Sequence, residues 1–161
     1  MKGRRLSSYS GSLPSTYEIF VAAERVELIW AEIYRALAGR FEGDPAAELF
    51  QRLSAEESQH ANRIRLVASH YSHDSQLFRG ALIADQGFEG LYTEALEFLG
   101  AVRHGDFDEN LDEAKHRVAD LEERLTEAHA QMLVKGADES IRAFFEELAR
   151  QDEEHRRLLL I

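Results

Sequence analysis

Apolar residues recur every three or four positions along most of the chain, the spacing that lines one face of an α-helix. Four long segments carry this pattern. The first predicts a helix over about 15–40, with Phe20, Ala23, Trp30, Leu37 and Phe41 on its inner face. The second begins at "GDPAAE", where Asp44 suits the N-cap and Pro45 the first helical position, and runs to about Tyr71. The third spans about 108–135 and stops at Gly136, a helix-ending glycine. The fourth follows "GADES", is capped by Asp138 and continues to the last residue. Short connections join the first helix to the second and the third to the fourth, so each pair predicts an antiparallel hairpin. The stretch 72–107 between the pairs holds Gly80, Gly87, Gly90, Gly100 and Gly105. Within it, Phe88, Leu91, Tyr92, Ala95, Leu99 and Val102 share one face, which predicts a shorter extra helix inside a crossover.

Polar residues interrupt the stripes at few places. The second helix reads Ala46, Phe50, Leu53, Glu57, His60, Ile64, Val67, Tyr71, and the fourth reads Ile141, Phe145, Leu148, Asp152, His155, Leu159. In both, a carboxylate and an imidazole three residues apart break an apolar face. The two stripes are offset by 95 residues, and the same offset carries Glu27 of the first helix onto Glu122 of the third and Tyr34 onto His129. The chain therefore reads as two copies of one helical hairpin. Each copy supplies a carboxylate from its first helix and a carboxylate-x-x-His from its second.

A carboxylate inside a helical core is costly unless neutralised, and four facing one another repel. Two divalent cations would balance four carboxylates, with two neutral imidazoles completing the donor set. Residues at i and i+3 share a helix face, so Glu57 and His60 suit a common ion. Carboxylate plus imidazole without thiolate favours iron or manganese. A lone Glu-x-x-His reads as readily as a surface ion pair; it is the registered set of six that weighs against a metal-free polar network. Trp30 and Tyr34 suit ordinary core packing as well as a redox role, and His70 and His73 fall where the second helix frays, which predicts a solvated surface.

The length of 161 residues suits one domain, here 15–161, preceded by a loose tail over 1–14. With 44% hydrophobic and 30% charged residues, the composition is that of a folded chain. The absence of cysteine excludes disulfides, thiolate metal sites and a cysteine nucleophile, and is compatible with a reducing cytoplasm. A net charge of −11 argues against a nucleic-acid partner. The N-terminal stretch has no apolar core of a signal peptide, and no apolar run approaches membrane-spanning length, so no membrane partner is expected.

The set Glu27, Glu57-x-x-His60, Glu122, Asp152-x-x-His155 resembles that of the ferritin-like di-iron carboxylate proteins, and most of all the helical domain of the rubrerythrins. The resemblance covers about 15–161. It implies an all-α, ferritin-like four-helix bundle made of two hairpins with a long crossover. It also implies two iron ions, with manganese or another divalent metal as alternatives, reacting with oxygen or hydrogen peroxide. By that resemblance Glu57 and Asp152 bridge the ions, Glu27 and Glu122 are terminal ligands, His60 and His155 each cap one ion, and Tyr34 hydrogen-bonds near the centre. The implied function is a non-haem di-iron oxidoreductase of rubrerythrin type. A ferroxidase serving iron storage and a helical module that has lost the chemistry are the alternatives, and a cytoplasmic homodimer is the expected state.

Three departures accompany the resemblance. Asp152 stands where a glutamate is usual, and its side chain is shorter. His129 replaces the tyrosine in the second repeat, as a neighbour of the centre or a seventh ligand. No rubredoxin-like cysteine module is present, so a separate electron donor is required. The first two departures predict unequal hairpins, the second holding its metal more weakly.

Overall fold

The computed structural model describes residues 16–73, 87–104, 107–108, 110–131 and 139–161. Among these the chain is all-α, with five helices and no strand: α1 (Thr16–Arg40), α2 (Ala46–His73), α3 (Phe88–His104), α4 (Leu111–Gln131) and α5 (Glu139–Leu159). The four long segments and the extra helix expected from periodicity are all present. The tail over 1–14, Gly136 and Asp138 lie outside the described residues.

Local chemistry sets the described boundaries. Asp44 Oδ1 accepts the Ala46 N–H at 2.8 Å, so it caps α2 as its position predicts. The turn before it needs a left-handed residue, supplied by Gly43 at φ 91°. α4 begins slightly later than the expected Asp108 because Asn110 carries the cap. Asn110 Oδ1 accepts from the Glu113 N–H at 3.0 Å, and Glu113 Oε2 accepts from the Asn110 N–H at 2.9 Å, a reciprocal capping box.

α1 packs along α2, and α4 along α5, as two hairpins. α3 lies along α1 and also touches α4. Its inner face, Phe88, Leu91, Ala95, Phe98, Leu99 and Val102, is buried. At about 1.5–3 kcal/mol for each large apolar side chain removed from water, this burial fixes the crossover helix to the rest. Arginines tie its rim down: Arg25 lies over the Tyr92 ring, Arg117 over Phe98, Arg103 pairs with Glu32 and Arg124 with Glu94.

Between α1 and α2 the contact is close because small residues meet there. Ser54 Oγ donates to the Ala31 carbonyl at 2.8 Å, and both residues are buried. Glu27 lies one turn before Ala31 and Glu57 one turn after Ser54. Because the helices run antiparallel, this contact brings the two carboxylates to the same level of the core.

Candidate metal centre

All six expected ligands are buried. Glu27, Glu57, Glu122 and Asp152 are 0% exposed, His60 is 4% and His155 is 2%. They come from four helices: Glu27 from α1, Glu57 and His60 from α2, Glu122 from α4, Asp152 and His155 from α5. Tyr34 and His129 are buried beside them. His70, in contrast, is exposed, as expected for a solvated residue near the end of α2.

The donor atoms fall into two groups. Glu27, Glu57, His60 and Asp152 offer ligand atoms within 4.8 Å of one another, and so do Glu57, Glu122 and His155. Glu57 is common to both. Its Oε2 lies 3.1 Å from His60 Nδ1 and its Oε1 lies 2.7 Å from His155 Nδ1, so each oxygen serves a different group. Asp152 belongs to the first group alone, with Oδ1 3.8 Å from His60 Nδ1.

Repeat-related contacts cross between the hairpins. The Tyr34 hydroxyl donates to Glu122 Oε1. Its counterpart His129 places Nε2 3.1 Å from Glu27 Oε1. His129 also has a second nitrogen, and Nδ1 lies 2.7 Å from Asp152 Oδ2. Glu56 completes the surroundings, with Oε2 2.8 Å from His155 Nε2 at the outer edge of the site. Sequence reasoning missed Glu56. It sits one residue before Glu57, off the apolar stripe, and no periodicity argument marks a half-exposed residue as a partner.

The charges are mutually dependent. Burial pushes the carboxyls of Glu57, Glu122 and Asp152 above their ordinary range; the charge of Glu27 adds to this for Glu57, as does that of Glu57 for Glu122. Glu27 goes the other way: burial would raise it, but His129 and His60 outweigh burial and hold it well below the usual carboxylate range. Burial would likewise lower the histidines, yet Glu27 and Glu57 bring His60 up to about 11, and Asp152 and Glu27 bring His129 up to about 10. Burial and the charge of Glu122 push the Tyr34 hydroxyl well above its ordinary value.

Even so, the cluster is not satisfied internally. Both Glu27 oxygens, Glu122 Oε2 and Asp152 Oδ1 are buried and accept no hydrogen bond. Such atoms are expensive to leave unpaired. Four carboxylates and two imidazoles in this arrangement could hold cations, and coordination would use these oxygens.

A pocket of about 370 Å³ reaches the cluster between α2 and α5. His60 and His155 line it, with Arg52, Arg63, Arg150 and Glu56 around them. Among the described residues, no helix is long and apolar enough to cross a membrane. No family model, curated protein or solved structure matches the chain.

Proposed function

We propose that this centre holds two transition-metal ions, iron foremost, and that the protein is a di-iron carboxylate oxidoreductase of the ferritin-like, rubrerythrin type acting on hydrogen peroxide or oxygen. The observation that carries this reading is the pair of buried donor groups sharing Glu57, with unpaired carboxylate oxygens in both. Glu27, Glu57, His60 and Asp152 would hold one ion; Glu57, Glu122 and His155 would hold the other. The donors fit the cofactor: oxygen and imidazole nitrogen without thiolate, and four carboxylates to balance two divalent charges.

When bound, a pair of iron ions supplies the electrons that reducing a peroxide O–O bond consumes. The chain's part is to bind, orient and exclude. Glu57 presents one oxygen to each group, the disposition a bridging ligand needs. Tyr34 holds Glu122 by Oε1, the oxygen 3.9 Å from His155 Nδ1, and Oε2 carries no hydrogen bond. Glu56 accepts from His155 Nε2–H, which orients Nδ1 inward and raises the basicity of the ring. The apolar core walls off bulk water, and the α2–α5 pocket admits a small substrate. These residues hold no cysteine to relay electrons, so turnover would draw them from a donor outside this bundle.

Metal analysis of protein grown with ample iron tests the reading. The expected result is two transition-metal equivalents per chain, mostly iron. Folded protein that neither contains nor takes up metal would leave a helical module without this chemistry.

A further inference from the structure

We propose that His129 makes the two metal positions unequal by engaging one oxygen of Asp152, so that one position has four protein donors while the other, with three, is the one that takes a small exogenous ligand. This inference rests on the two-ion reading above.

The argument starts from the second nitrogen of His129. A tyrosine at this level has one O–H, and Tyr34 uses it on Glu122 Oε1. His129 makes the equivalent approach to Glu27 with Nε2, and its Nδ1 still faces Asp152 Oδ2 at 2.7 Å. With Asp152 ionised, its oxygens only accept and Nδ1–H is the donor. Both side chains are fully buried, and no solvent competes for that oxygen. The ring also has aromatic neighbours, since Phe88 and Phe145 lie 5.8 and 6.3 Å away, centroid to centroid, both tilted to it.

Asp152 is thereby committed. Its remaining oxygen, Oδ1, points into the group of Glu27, Glu57 and His60 and accepts no hydrogen bond. Glu57, its repeat counterpart, is longer by one methylene, roughly 1.5 Å of reach. Glu57 sends an oxygen into each group; Asp152 enters only one. The second position is left with Glu57, Glu122 and His155. Three protein donors leave a divalent transition metal with open coordination.

The open position is also a reachable one: His155 lines the pocket between α2 and α5, as does His60 of the other position, so the donor count and not access separates the two. On the rim, Arg52, Arg63 and Arg150 stand with Glu56 and Glu154.

Cobalt(II) binding to the full chain, followed by calorimetry and visible absorption with azide as the exogenous probe, tests this. The parent should bind two equivalents in two steps, about tenfold or more apart in affinity, and azide should perturb one cobalt only, the one loaded second. His129→Asn keeps an N–H where Nδ1 stands and loses the Glu27 contact; His129→Gln does the reverse. The Asn variant should keep the two-step binding, and the Gln variant should bring the steps within about threefold and let azide perturb neither position selectively. Two equal steps in the parent, or azide at both cobalts, would overturn the inference while leaving the two-ion reading intact. Indistinguishable Asn and Gln variants would remove His129 as the cause. Failure to take up cobalt would overturn the two-ion reading, and the inference with it. The parent's azide stoichiometry requires no variant, so even with poorly folded substitutions a response at both cobalts overturns the inference.

Discussion

The imidazole rings of His60 and His155 lie parallel, with centroids 5.5 Å apart and planes 7° from one another. They are repeat counterparts, and each turns Nδ1 toward a different oxygen of Glu57. The two halves of the site therefore meet at one carboxylate, and that residue is the most informative to change. Glu57→Gln removes a charged donor from both groups, whereas Glu122→Gln removes one from a single group. Metal content after dialysis should fall toward zero for the first and by about one equivalent for the second. Equal losses from the two variants would contradict a shared ligand.

Metal-stripped protein should melt at lower temperature than loaded protein. A ligand that binds only the native state at a hundred times its dissociation constant adds about 2.7 kcal/mol per site. Thermal melts at graded iron(II) or manganese(II) under anaerobic conditions should show a rising midpoint. Coincident melts at saturating metal would place the bound ions outside the core.

The metal-stripped protein should also lose stability as pH rises above neutrality. His60 and His129 have folded values raised to about 11 and about 10, against unfolded values near 6.5. Their stabilisation is complete below about pH 6.5 and is lost as pH climbs through the folded values. Glu57, Glu122 and Asp152, all raised, act in the same direction from a lower pH. Glu27, depressed, opposes them only in acid, where its contribution is lost as pH falls. Melting midpoints of chelated protein should thus peak near about pH 5–6 and decline toward about pH 9. Metal competes with those protons, so its affinity should rise over the same interval. A flat profile for chelated protein would refute the coupling.

Tyr34→Phe isolates one hydrogen bond. It leaves Glu122 Oε1 buried without its donor and should cost the metal-stripped fold roughly 1–3 kcal/mol in urea unfolding. A loss under about 0.5 kcal/mol would mean that the protonated carboxyl or a water replaces the hydroxyl.

Asn110→Ala serves as a control remote from the centre. It removes the capping box of α4 and should cost about 1 kcal/mol with no change in metal stoichiometry. Altered stoichiometry would show that α4 positions Glu122 through its first turn.

Helix periodicity made the fold class legible and marked Glu57, His60, Asp152 and His155, because a stripe along one helix face records which side chains face inward; buried Ser54 was not marked. Glu27 and Glu122 stood out only through the internal repeat, since a single buried glutamate in an acidic chain is inconspicuous. The start of α4 was placed early because Asp108 and Asn110 are both plausible caps, and only the reciprocal bonds with Glu113 decide between them. The His129–Asp152 contact was beyond reach for a different reason. Each residue was recognised as a departure in its own helix, but their pairing depends on side-chain directions across two helices, which spacing does not encode. Glu56 belongs to the same class: its partner lies 99 residues away.

Because α3 lies across α1 and α4 while the pocket opens between α2 and α5, the centre has a front and a back. Among the described residues, the pocket that reaches the cluster opens at the front, while the buried face of α3, with Phe88 and Phe98 in it, covers the back. A label or fused partner carried on the exposed face of α3 would leave that pocket clear.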